Sequence, residues 1–219
     1  LFYPIYYFLL LNEKYFETGF QLIRFQSKLI LFMVGVFPQV EGSIPNDQNT
    51  SYIICPNHSS YLDILLLYHC LPHYFVFLGK EELGKIPIFN IFFKKMNILI
   101  NRSNAKSAYE SIKKACERIE KGNNIVIFPE GTIPNTVPKM KPFKNGAFKV
   151  AKELGIGIIP ISFCDNYKLL EDSMKFDAKC GIGKARVVIH PPILAHEHSE
   201  FDLVSLREKT KAIIASKLD

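Results

Sequence analysis

The residues best suited to chemistry stand in one heptapeptide, Asn57-His58-Ser59-Ser60-Tyr61-Leu62-Asp63. An imidazole can take a proton from a hydroxyl. A carboxylate bonded to one ring nitrogen fixes the tautomer and leaves the other nitrogen free as a base. His58 and Asp63 are five residues apart, about 140° around a regular helix, so they share no helix face. They can meet only if His58 precedes the helix and the chain bends at Ser59 or Ser60, either of which suits an N-cap. The same residues carry a structural alternative. Ser60-x-x-Asp63 is a capping box, in which Asp63 serves only the helix start. The heptapeptide follows the apolar run SYIIC (51–55), which places it at the mouth of an α/β sheet, where ligands usually bind.

A second group, Phe128-Pro129-Glu130-Gly131-Thr132, ends another apolar run, NIVIFP (124–129). Gly131 permits a tight turn or close substrate approach. Glu130 either accepts bonds from substrate hydroxyls or closes the loop. Lys139, Lys141, Lys144, Lys149 and Lys152 follow, with no acid before Glu153. Such a run is either a solvated face or, beside a catalytic turn, a funnel for phosphate. The helix expected to start near Gly146 offers its N–H groups to an anion. Gly155-x-Gly157 and Gly181-x-Gly183 lack the third glycine of a dinucleotide loop. There is neither a phosphate loop with GKS or GKT nor a G-x-S-x-G elbow. His196 and His198 read as part of an exposed linker, so no metal is expected. Cys55, Cys70, Cys116, Cys164 and Cys180 form no C-x-x-C pair and read as reduced, mostly buried residues of a chain facing the cytosol.

These groups need a scaffold, and 219 residues make one ordinary α/β domain with little left over. Hydrophobic residues are 48% and charged residues 22%, enough for a sizeable core. A net charge of +6 favours an anionic partner, and no DNA or RNA motif accompanies it, so nucleic acid is not expected. Strands are expected at 51–55, 73–79, 98–101, 124–129, 156–164 and 184–190. Helices are expected at 61–71, 87–96, 103–121, 146–155 and 200–218. This alternation predicts an α/β fold whose central mixed or largely parallel sheet is flanked by helices.

The first forty residues differ. LFYPIYYFLLLN (1–12) and LILFMVGVFPQV (29–40) carry no charge, and neither reaches the roughly 20 residues that cross a bilayer. They are either a pair of core helices or a membrane-seated segment, with a helix over 15–37 lying in the interface. The expected division is residues 1–41 as membrane-associated helices and 42–219 as the catalytic domain, joined by the polar stretch EGSIPNDQNTS.

Taken together, these pieces resemble the glycerolipid acyltransferase family that includes the 1-acyl-glycerol-3-phosphate acyltransferases. The family's NHxxxxD motif is seen as NHSSYLD (57–63). Its second block is seen as ILINR with Arg102, its third as FPEGTI (128–133) and its fourth as IIPIS (158–162). KEELGKIPIFN (80–90) and FKNGAF (143–148) also look like family segments. The blocks run in the family's order between about residues 51 and 193. Two positions depart from the pattern: Ile133 stands where an arginine is usual, and Met96-Asn97 where a glycine is common.

The resemblance implies acyl transfer from acyl-CoA or acyl-carrier protein to the free hydroxyl of lysophosphatidate, giving phosphatidate in phospholipid biosynthesis. Glycerol 3-phosphate or a lyso-aminolipid is the alternative acceptor. A catalytically silent membrane-binding protein on the same fold is the alternative class. His58 would be the general base and Asp63 its orienting partner. Arg102, Glu130, Gly131, Thr132, Lys139, Lys141 and Lys144 would bind substrate. Backbone N–H groups near the 57–60 turn are candidates to receive the oxyanion. No cofactor or metal is implied. The expected location is the cytoplasmic face of a membrane.

Overall fold

The structure is a computed structural model that describes residues 2–45, 47, 50–85, 90–101, 105–171, 179–199 and 202–218. The chain begins with two helices, α1 (Tyr3–Leu9) and α2 (Phe16–Met33), then β1 (Val36–Glu41). The alternating part follows as β2 (Tyr52–Pro56), α3 (Leu62–Cys70), β3 (Phe75–Lys80), α4 (Asn90–Lys95), β4 (Ile98–Ile100), α5 (Ala105–Glu120) and β5 (Asn124–Val126). It continues with α6 (Gly146–Leu154), β6 (Gly157–Phe163), α7 (Asn166–Leu169), β7 (Gly183–Ile189), α8 (Ala195–Ser199) and α9 (Leu203–Ala215). The seven strands form one sheet in the order β1-β7-β6-β2-β5-β3-β4.

Strands β2 to β6 are mutually parallel where they pair, and β7 is antiparallel to β6. Every residue of β2 and β6 is buried, which is why these runs are apolar apart from Ser162, whose hydroxyl is hydrogen-bonded. Successive side chains feed opposite faces. Tyr52 and Ile54 join the core under α1, α2 and α3, whereas Ile53 and Cys55 join the one under α5, α6 and α9. The expected α/β fold with a largely parallel central sheet is the fold observed.

One expected helix is shorter. Helix α2 stops at Met33 and the chain passes into β1, so residues 36–41 are strand. Gly35 makes the break, with φ at 72°, a left-handed value that costs glycine nothing. The β-branched Val36 and Val40 and the helix-breaking Pro38 then favour an extended edge strand.

Because β7 runs against β6, its first residue lies beyond the carboxyl end of β6: Phe163 faces Val187, and Gly183 is four residues further out. Strand β1 pairs in parallel with β7, with Val36 beside Gly183. The end of α2 therefore arrives at the same end of the sheet as the carboxyl end of β2, where His58 stands. Exposed apolar side chains gather there: Phe32, Met33, Val34, Phe37 and Ile182. Ile182 sits so close to Gly35 that an added Cβ would fall 2.7 Å from it.

The segments 1–41 and 42–219 share one core. Tyr6, Leu10, Phe20 and Leu31 pack in the same cluster as Ile54, Phe75 and Val187. Phe20 is fully buried, its ring 5.1–5.5 Å from those of Tyr68, Tyr74 and Phe75. Among the described residues no helix is long and apolar enough to cross a membrane. Phe20→Ala should lower unfolding free energy by about 3–5 kcal/mol in a denaturant titration. A midpoint within error of wild type would mean that α2 is an appendage.

Candidate active site

Where β2 ends, its backbone leaves β6, and a side chain takes over the pairing. The Asn57 amide donates to the Phe163 carbonyl at 3.1 Å and accepts from the Phe163 N–H at 2.7 Å. The chain then turns freely before α3. Ser60 Oγ accepts from the Leu62 N–H at 3.2 Å and donates to the Leu170 carbonyl at 2.8 Å. His58 thus lies ahead of the helix, and the pairing that a continuous helix forbids becomes possible.

His58 Nδ1 stands 2.8 Å from Asp63 Oδ2. The same oxygen accepts the Ser59 N–H at 2.6 Å and the Ser60 N–H at 3.0 Å. The Ser60 bond is the capping-box bond, so Asp63 serves the helix start and the imidazole together. Asp63 is fully buried, an unusual place for a carboxylate, and these donors compensate its lost hydration. A carboxylate accepts, so Nδ1 carries the proton and Nε2 presents a lone pair. Among the described residues nothing bonds Nε2, and 15% of the His58 side chain remains exposed. Phe128 stacks on the ring at 4.1 Å between centroids and limits its rotation.

Glu130 sits beneath this turn, also buried. Its Oε1 accepts the His58 N–H at 2.8 Å and its Oε2 the Lys141 N–H at 2.7 Å. Burial pushes its carboxyl above the usual range, and the two backbone donors pull against that shift. Lys144 N–H bonds the Pro129 carbonyl at 2.8 Å, so the basic loop is tied to the site twice. Gly131 turns the chain there with φ at 78°. Thr132, Lys139 and Lys144 are exposed and Lys141 is half-buried around this rim. Arg102 lies outside the described residues. Ile133 is buried, its side chain turned into the protein. Asn97 supplies bonds instead of a glycine's freedom: it accepts from the Phe77 N–H and donates to the Phe92 carbonyl.

One expectation is overturned. The backbone N–H groups of the 57–60 turn are all engaged within the protein. Asn57 N–H bonds the Ile161 carbonyl, His58 N–H bonds Glu130, and Ser59 and Ser60 N–H bond Asp63. They are not available as an oxyanion hole. One residue was not expected. Asn166, just past β6, donates from Nδ2 to Asp63 Oδ1 at 2.6 Å. Its position at the carboxyl end of a buried strand is the signal in the sequence that could have found it.

A second serine–histidine contact, Ser162 Oγ to His190 Nε2 at 2.8 Å, is no rival. The Ser162 hydroxyl donates to the Ile214 carbonyl at 2.9 Å and clasps α9 to the sheet. Burial lowers the His190 pKa and favours the neutral ring. Among the described residues no cluster could hold a metal ion.

The acyltransferase family model matches residues 38–164, more than half of the chain. A 1-acyl-sn-glycerol-3-phosphate acyltransferase of Borreliella burgdorferi is 28% identical over 93% of this chain and 80% of that protein. A chloroplastic 1-acyl-sn-glycerol-3-phosphate acyltransferase of Arabidopsis thaliana is 28% identical over 85% of this chain, which spans 51% of that protein's length. The crystal structure of the 1-acyl-sn-glycerophosphate acyltransferase PlsC from Thermotoga maritima superposes with a TM-score of 0.76 at 26% identity. That match covers 93% of this chain and 80% of that one.

Glu130→Gln keeps the volume but can place an amide NH2 against one of two backbone donors. Displacement of His58 by even about 1 Å should cost roughly 10- to 100-fold in kcat with little change in KM. Steady-state kinetics checks this, and an unchanged kcat would reduce Glu130 to loop closure without consequence for the base.

Proposed function

The chain belongs to the acyltransferase family, and on that premise we propose that it transfers a fatty acyl group from a thioester to the free hydroxyl of lysophosphatidate, giving phosphatidate. The observation that carries this reading is the His58–Asp63 pair, with Nδ1 held at 2.8 Å and Nε2 open at the sheet's rim. A silent binding protein has no need of a buried carboxylate that orients a reachable imidazole. The donor is acyl-CoA or an acyl-carrier protein, since both present the same thioester.

His58 Nε2 takes the proton of the acceptor hydroxyl as its oxygen attacks the thioester carbonyl. Asp63 holds the ring and stabilises the imidazolium that forms, as in a catalytic triad but with the substrate as nucleophile. The tetrahedral intermediate collapses, the carbon–sulfur bond breaks, and the thiolate leaves. Its parent thiol has an ordinary pKa of about 8.5, so no strong acid is needed, and the imidazolium returns its proton to sulfur or solvent. With the turn amides engaged, stabilisation of the oxyanion falls to groups on the rim, among which we place the Lys139–Lys144 loop. The same lysines, with Arg102, would draw in and hold the acceptor phosphate.

We further propose that the site faces a membrane at its cytoplasmic side. Support comes from the uncharged end of α2, whose exposed Phe32 and Met33 join Phe37 and Ile182 at the His58 end of the sheet. Among the described residues the five cysteines form no disulfide, which is compatible with a reducing compartment.

Two outcomes are expected. His58→Ala should lose about 10²–10⁴-fold in acyl transfer to lysophosphatidate, measured by mass spectrometry of products from a panel of lyso-lipids. Retention of more than about a tenth of wild-type turnover would dismiss His58 as the base. In flotation with anionic phospholipid vesicles, the wild-type chain should stay bound in molar salt, whereas Phe32→Asp with Met33→Asp should weaken binding about tenfold or more. Release of the wild type by salt alone would leave only an electrostatic attachment.

A further inference from the structure

The carboxylate of Asp63 is held on both oxygens, and the two are held differently. Oδ2 serves His58, Ser59 and Ser60, all from the same turn. Oδ1 has one short bond, from Asn166 Nδ2 at 2.6 Å, and a long one from Ser59 Oγ at 3.4 Å. Asn166 comes from a different part of the chain, 103 residues away, at the start of α7 just past β6. Both side chains are fully buried.

The amide can point only one way. With its oxygen toward Asp63, two acceptors would face each other at 2.6 Å. The orientation that donates leaves Asn166 Oδ1 buried and, among the described residues, without a partner. Buried polar atoms rarely go unpaired, so this one marks a side chain placed for what its nitrogen does. Helix α7 is braced to the catalytic turn, because Ser60 Oγ donates to the Leu170 carbonyl and Leu170 N–H bonds the Asn166 carbonyl. A neutral donor also suits the chemistry. A cation at this place would compete with the imidazolium for the carboxylate, whereas an amide fixes it and leaves its charge.

We propose that Asn166 is a positioning residue for acyl transfer: its amide fixes the plane of the Asp63 carboxylate so that Oδ2 faces His58 Nδ1. The proposal rests on the reading of His58 as general base. The charged groups facing the pair are Glu130 from the loop after β5 and, beside Asn166, Asp165, which turns away to Arg186 of β7 at 2.6 Å and Lys168 of α7 at 3.1 Å.

The test is kcat/KM for acyl transfer from acyl-CoA to lysophosphatidate across pH, for wild type, Asn166→Asp, Asn166→Ala and His58→Ala. Wild-type activity should rise with pH, as expected of a reaction that uses a general base. Asn166→Asp keeps the size of the side chain but sets a second carboxylate at hydrogen-bond distance from Asp63. Two such groups share one proton, and while they do, the new carboxyl can still donate to Asp63. Once that proton leaves, the carboxylates repel and the hold is lost. The variant should therefore fall again as pH rises, and a bell should replace the rising limb. Asn166→Ala should lower kcat about 10- to 100-fold with both KM values near wild type. A second buried carboxylate also links folding to pH, so circular dichroism of Asn166→Asp is followed over the same range: a bell while the folded signal stays constant supports the role, and a bell that tracks unfolding refutes it. A profile of Asn166→Asp parallel to wild type, or an alanine variant above about half of wild-type kcat, would refute the role of Asn166 alone. Full activity in His58→Ala would instead overturn the general-base reading beneath it.

Discussion

A carboxylate withdrawn from water at the rim of a sheet must be surrounded by donors, and Asp63 organises the neighbourhood on that condition. A charge in so dry a place is tolerable only when hydrogen bonds replace its hydration. The donors are two consecutive backbone N–H groups, an imidazole and an amide from just past the neighbouring strand. The two backbone donors require a sharp turn before α3. The imidazole requires the histidine to sit outside that helix. The amide requires β6 to lie beside β2, and the pairing of Asn57 with Phe163 keeps those strands aligned to their last residues.

The second constraint is direction. Five parallel strands alone would deliver their carboxyl ends to one rim and their connecting helices back to the other. The reversal at β7, followed in parallel by β1, carries the start of those two strands to the catalytic rim instead. The uncharged end of α2 goes with them, while the charged start of the same helix stays at the far end, where Glu13 meets Lys121 at 3.2 Å. One helix is thus polar at one end of the sheet and apolar at the other.

Much of this was legible in the sequence. Continuous apolar runs bounded by turns mark the buried strands, and NHSSYLD marks the turn with its two principal residues. What escaped has physical reasons. Residues 29–40 carry no charge on either side of Gly35, so hydrophobicity alone does not separate the end of α2 from β1. The reversal of β7 is a fact of pairing that KARVVI does not encode. Asn166 follows an Asp at a strand end and reads as a turn former, since its partner is 103 residues away. The turn amides look free in a linear reading. Only the folded register shows that Glu130, 72 residues from His58, has taken one of them. Arg102, which the motif blocks single out, lies outside the described residues.

The full engagement of the turn's backbone has a consequence for how such a protein can change over evolutionary time. Residues 57–60 have no uncommitted N–H, and their bonds run to β6, to the loop after β5 and to α3, so an alteration there disturbs several elements at once. The loop from Gly131 to Lys144 is anchored by backbone groups of Lys141 and Lys144, which any residue but proline can supply. Its exposed side chains, such as those of Thr132 and Lys139, are thereby released from structural duty, whereas Ile133 and Phe143 stay buried. Drift in what the protein accepts can accumulate at those exposed positions without disturbing the proton-transfer apparatus.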